Sequence, residues 1–138
     1  MVEMDPLHLW HLVLLSLWAG IVVAETVVEQ VGRRHVAAAA HMHYWIDLLL
    51  ELPVIGGILV TGTVLAVRAW PLTPLHWLKI GAGLIAVGSN LFCAVAVVRR
   101  RHAEEAAMKA YQMQIHLSIL GTPFAIVAAY IGFHYFTP

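Results

Sequence analysis

Four apolar stretches, at about 7–31, 41–69, 75–98 and 107–136, divide this chain, and each is long enough to cross a lipid bilayer as a helix. A spanning helix needs roughly 20 apolar residues. Inside hydrocarbon every backbone polar group must be satisfied within the segment, which helices of this length do. Of the 138 residues, 61% are hydrophobic and only 12% charged, and mean hydropathy is +0.80. A soluble domain of this size has too little interior for that much apolar surface. The expectation is an all-α integral membrane four-helix bundle, one domain over residues 1–138, in a bacterial inner membrane.

Glu3 and Asp5 stand where a secretory signal would carry basic residues, and no clean small-residue cleavage site follows. The first stretch therefore reads as a retained span. Pro71 and Pro74 mark the connection between spans two and three, while Pro53 and Pro123 predict kinks inside spans two and four. Arg33 and Arg34 occupy the first connection, and Arg99, Arg100, Arg101 and Lys109 flank the third. The opposite side has only Arg68 and Lys79, so the positive-inside rule places both termini outside. The formal net charge is zero, which gives no basis for nucleic-acid binding. Cys93 is the single cysteine, excluding an intrachain disulfide and Cys-based zinc or iron–sulfur sites; it reads as a small apolar packing residue.

An internal repeat is visible. Pro6-Leu7-His8-Leu9-Trp10-His11 aligns with Pro74-Leu75-His76-Trp77-Leu78-Lys79 at an offset of 68. Arg33-Arg34-His35 aligns with Arg100-Arg101-His102, and Pro53 with Pro123. Two tandem helical hairpins would produce this pattern, related by a pseudo-two-fold axis along the membrane normal.

The informative residues interrupt the apolar stretches. Glu25 and Glu29 are one turn apart near the inner end of span one; His43, Asp47 and Glu51 step by four along span two. Asn90 lies late in span three, and Gln112 and His116 again step by four in span four. Residues four apart share a helix face. With alternating span direction, all these positions fall at one depth, nearer the inner boundary. A charged residue at that depth costs at least ~2.5 kcal/mol on insertion scales, so it is kept with a partner or a task. Carboxylates and imidazoles from facing helices are the ligand set of metal centres in helical bundles. They suit iron best among the candidates, with zinc or manganese as alternatives, and are less suited to copper(I). In this reading Glu25, Glu29, His43, Asp47, Asn90, Gln112 and His116 surround the ion, with Glu29, Asn90 and Gln112 able to act as outer supports, and Glu51 handles protons. The plainer alternatives are that Glu29 snorkels to the interface with Arg33, that Glu51 bonds backbone freed by Pro53, that His43 is solvated, and that the whole cluster is a structural polar network.

A second group lies toward the outer face: His8, His11, His76, Lys79 and His134. Trp10, Trp70 and Trp77 read as an aromatic belt. His11, Trp18 and Glu25 recur every seven residues and so share one face of span one. Met1, Met4 and His8 could also form an outer copper foothold.

The run from His11 to Trp18-Ala19-Gly20, with Trp77-Leu78-Lys79 opening span three and Asn90 later in it, resembles two related four-helix membrane families. These are the HemJ-type bacterial protoporphyrinogen oxidases and the copper-resistance D-like domain. The resemblance covers spans one and three, about a third of the chain. The first would make His11 and Lys79 functional, with His11 a ligand of haem b, Trp18 beside it and His134 or His76 opposite. The second would imply a copper path. Lys79 departs from the oxidase spacing by following Trp77 at two residues, and the inner acidic ring belongs to neither pattern.

The functional expectation is a membrane metalloprotein with an iron-type centre of one or two ions, working by redox chemistry on dioxygen or a hydrophobic molecule such as a quinone or porphyrin. A b-type haem protein and a transporter of copper or a divalent ion are the alternatives. Its surroundings would be membrane lipid, and the assembly a homodimer.

Overall fold

The structure is a computed structural model that describes residues 5–135, apart from the side chains of Arg33 and Glu105. Phe136, at the expected end of span four, and Met1 and Met4 of the outer copper foothold lie outside the described residues. Six α-helices form four spans. They are α1 (Pro6–Val31), α2 (Val36–Ile46) continuing into α3 (Leu52–Arg68), α4 (Pro74–Arg101), and α5 (Glu105–Ser118) continuing into α6 (Thr122–Tyr135). All four spans are long and apolar enough to cross a membrane.

Span boundaries differ from expectation at the inner end. Span two begins at Val36 rather than 41, because the alanines at 37–40 are strong helix formers. Span three runs through Arg101 rather than stopping at 98, since arginine stems can lie along apolar surface while their heads find polar partners.

At both prolines expected to kink a span, the helix type changes locally. Pro53 has no N–H for its preceding turn. Just before it, Asp47–Glu51 forms a π-helical turn in which the Leu52 N–H reaches back to the Asp47 carbonyl. Before Pro123, Ile119–Gly121 tightens into a 3₁₀ turn. The π turn has a consequence for the site. In an α-helix a stripe of step four drifts about 40° per step. The underwound turn opposes that drift, so His43, Asp47 and Glu51 all stay buried at 2% exposure. Single π turns of this kind are frequent at functional sites.

The helices pair as two hairpins. α1 packs along α2 and α3, α4 packs along α5 and α6, and the principal contact between the hairpins is α2 against α4, at the inner end. Both helices bury small residues, Ala39 and Ala40 on α2 and Ala94 and Ala96 on α4. Small residues let helix backbones approach closely where lipid removes any hydrophobic drive between helices. Arg101 adds a cation–π contact, its guanidinium 4.0 Å from the Tyr44 ring centroid. At the outer end Asp5 ties the first hairpin together. It accepts from the Leu7 N–H as the α1 cap and pairs with Arg68 of α3 at 3.1 Å.

Burial is inverted relative to a soluble bundle. The buried residues of α1 are His11, Ile21, Glu25 and Glu29, whereas Val13, Leu17, Val23 and Val27 face outward. Apolar residues outside and polar residues inside suit a lipid surround.

Candidate metal centre

The centre is assembled outward from Arg100. This residue is fully buried, and its two Nη atoms donate to both carboxylate oxygens of Glu29, at 2.8 and 2.5 Å. A forked, charge-assisted pair of this kind fixes geometry as well as charge. Glu29 Oε1 also lies 2.6 Å from His43 Nδ1. A carboxylate held by arginine only accepts, so His43 Nδ1 carries a hydrogen, and in the neutral ring Nε2 has a lone pair to offer.

His43 Nε2 faces two further acids. Asp47 Oδ1 is 3.2 Å away and Glu25 Oε2 3.9 Å away. One donor atom from each of Glu25, His43 and Asp47 lies within 4.8 Å of the others, and all three residues are buried. Glu25 Oε1, His43 Nε2 and both Asp47 carboxylate oxygens are buried without a hydrogen-bond partner. Buried polar atoms are almost always paired, so these orphaned atoms mark the group as incomplete by itself.

The donor set could hold a metal ion. Donors about 2.1 Å from an ion, in tetrahedral or octahedral array, are roughly 3.0–3.4 Å apart; the 3.2 Å separation lies in that range, and the 3.9 Å one, in a group spread over at most 4.8 Å, requires the side chains to close in. Ligating histidines ordinarily give their second ring N–H to a carboxylate, which is the role Glu29 plays toward His43.

Glu51 continues the polar column toward the outer side. Its Oε1 accepts from Trp18 Nε1 at 3.2 Å and from the Asn90 amide at 3.0 Å. Asn90 therefore supports Glu51, not the three-residue group. Trp18 and Asn90 also line a cavity of 710 Å³ bounded by α1, α3, α4 and α6. His11, His76 and Lys79 lie in the same cavity wall.

Several expected site residues are placed elsewhere. His116 is exposed, and its Nδ1 bonds the Gln112 main-chain carbonyl at 2.7 Å, one turn back on its own helix. The α5 side chain that faces inward is Ile115, which packs with Cys93, Ala96 and Val97. That seam is apolar and offers an imidazole no partner. Gln112 is half-buried, with neither residue in the three-ligand group. His134 is exposed and stacks on Tyr130 at 5.5 Å, and His76 caps α4 through Thr73, so neither is drawn up as a partner to His11. Glu29 is held by Arg100; the Arg33 side chain of the expected snorkelling pair lies outside what the structure describes.

Arg100 was hidden by its setting among three consecutive arginines. The available signal was spacing: Asn90, Cys93, Val97 and Arg100 form one stripe along α4. Thr61, which bonds His11 at 2.7 Å, carried no comparable signal.

Fold and site together define a class: a polytopic helical membrane-type bundle with a buried glutamate–histidine–aspartate group at metal-ligand spacing. Beyond that class, no protein-family model, curated protein or solved structure matches the chain.

Proposed function

We propose that this chain is an integral membrane metalloprotein in which Glu25, His43 and Asp47 hold one divalent first-row ion, iron in preference to manganese or zinc. The ion would supply a redox or Lewis-acid centre to a hydrophobic molecule in the adjoining cavity.

The observation that carries this reading is a charge balance. Arg100 cancels Glu29, and His43, with its Nδ1 hydrogen committed to Glu29, would offer Nε2 to an ion in the neutral form of the ring. Glu25, Asp47 and Glu51 remain as three buried acids; Glu51 is held by Trp18 and Asn90, while Glu25 and Asp47 face one imidazole nitrogen. Uncompensated buried charge is strongly destabilising. A single divalent cation would offset the Glu25 and Asp47 carboxylates and give their facing oxygens and His43 Nε2 a partner. Mixed carboxylate and imidazole donors favour iron, manganese or zinc over soft-ligand copper(I).

The chain's own residues then divide the work. Glu29 and Arg100 orient His43 and hold its tautomer. Glu51, fixed by Trp18 and Asn90, stands between the cavity and the ligand group and is placed to pass a proton between them. The π turn sets Asp47 and Glu51 on the same inward line.

Elemental analysis and an optical spectrum of the detergent-purified chain test the proposal. One ion per chain in wild type, lost in His43→Ala, is the expected result. A protein that contains no metal and takes up none from added Fe(II), Mn(II) or Zn(II) overturns it, and a Soret band would move the reading to haem on His11.

A further inference from the structure

The inner ligand group leaves the outer cavity unexplained. Its 710 Å³ lies within the roughly 300–1,000 Å³ of small-molecule sites. The wall is mostly aliphatic, including Leu15, Ile55, Leu59, Ile80 and Val87. Among the polar side chains that break it, His11 and Lys79 stand at one depth, each five residues into its helix.

Each stands against a glycine on the returning span of its own hairpin. A Cβ on Gly62 would lie 3.3 Å from His11 Cε1, and one on Gly132 would lie 3.1 Å from Lys79 Nζ. The two pairs are related by the internal repeat: His11 and Lys79 are 68 residues apart, Gly62 and Gly132 70 apart. The chain has thus kept room for a polar head at both symmetry-related places while making the heads chemically different.

Their hydrogen-bonding roles are complementary. Thr61 Oγ1 lies 2.8 Å from the Gly57 carbonyl and 2.7 Å from His11 Nδ1; with its one hydrogen given to the carbonyl, it accepts from Nδ1. His11 Nε2 is then an acceptor, whereas a lysine ammonium is a donor only. One wall can take a hydroxyl hydrogen and the other can donate to an oxygen. An occupant with an apolar body and oxygens at two ends of one ring satisfies both.

We propose that this cavity binds a lipid-soluble quinol, one ring hydroxyl donating to His11 Nε2 and the opposite oxygen accepting from Lys79. The choice of a redox-active ring rests on the metal-centre reading above; the binding itself is tested apart from the metal.

The test is equilibrium binding of a decyl-tailed benzoquinol, and of its quinone, to the detergent-purified full chain, followed by tryptophan fluorescence. Binding should be saturable and at least tenfold weaker in His11→Leu and in Lys79→Met. Wild type should prefer quinol to quinone, because Nε2 can accept from a hydroxyl but cannot donate to a carbonyl, and Thr61→Val should erode that preference. Gly62→Val, which fills the space beside His11, should also weaken binding. If the His11 variant does not fold, the wild-type preference for quinol carries the test. Equal binding in the head-group variants, no preference for quinol, or displacement by decanol as effective as by quinol would each overturn the inference and leave a plain lipid slot. In His43→Ala, quinol binding should persist without metal. Metal present with no quinol binding sinks this inference alone; quinol binding with no metal in wild type sinks the metal-centre reading alone.

Discussion

Arg100 on α4 holds Glu29 on α1 through both Nη atoms, and this one forked contact joins the two hairpins at the depth of the ligand group. The arginine is fully buried and the glutamate nearly so. It neutralises one acid, orients one imidazole and ties two halves of the fold together.

Removing one member of such a pair strands the other. Arg100→Met should lower stability by about 3–5 kcal/mol, the range for breaking a buried ion pair. The loss is read as a fall in the thermal midpoint of the detergent-solubilised protein. Arg100→Met combined with Glu29→Leu should recover part of that loss, because no charge is then left buried. A single variant as stable as wild type would contradict the contact.

The three ligands should be separable from their support. Glu25→Gln, His43→Ala and Asp47→Asn are each expected to abolish stoichiometric metal. Glu29→Gln should weaken affinity by about 10–100-fold, as outer-shell partners do. Occupancy should also fall as pH is lowered, since protons compete for the carboxylate oxygens and for the imidazole lone pair. Metal content measured across the series and across pH checks both points.

Glu51 should behave differently. Glu51→Leu leaves the Trp18 indole N–H and the Asn90 amide without their acceptor. An unpaired buried donor costs about 1–3 kcal/mol. The expected result is a lower thermal midpoint with metal stoichiometry intact. Loss of metal in this variant would place Glu51 among the ligands instead.

Glycine positions give a packing test. A Cβ on Gly121 would collide with the Ser89 side chain and approach the Ala86 backbone at 3.6 Å. Gly121→Ala should therefore destabilise by about 1–3 kcal/mol. Gly88 has nothing within 4 Å of its would-be Cβ, so Gly88→Ala should leave stability unchanged or raise it by up to about 1 kcal/mol.

Orientation is open to direct labelling. In a Cys93→Ala background, Ala69→Cys should react with an impermeant thiol reagent from outside the cell. His102→Cys should react only after the membrane is opened. The reverse pattern would invert the topology inferred from the arginines.

The sequence by itself determined what depends on local physics. Length and hydropathy specified four spanning helices, because a bilayer imposes one length and one backbone solution. Step-four spacing put His43, Asp47 and Glu51 on one face, and the seven-residue interval put His11 and Glu25 on another. Pro53 and Pro123 announced where helix geometry would change. Only the tertiary structure decided which faces meet. Three consecutive arginines point in three directions, and nothing local says that Arg100 turns inward to Glu29 while Arg101 covers Tyr44. His116 looked as good a ligand as His43, yet α5 turns Ile115 to the core because it packs on an apolar seam of α4. The outer cavity is likewise a product of two hairpins that meet through α2 and α4. Helix rotation and separation are set by side-chain packing between distant segments, and no periodicity within one segment encodes them.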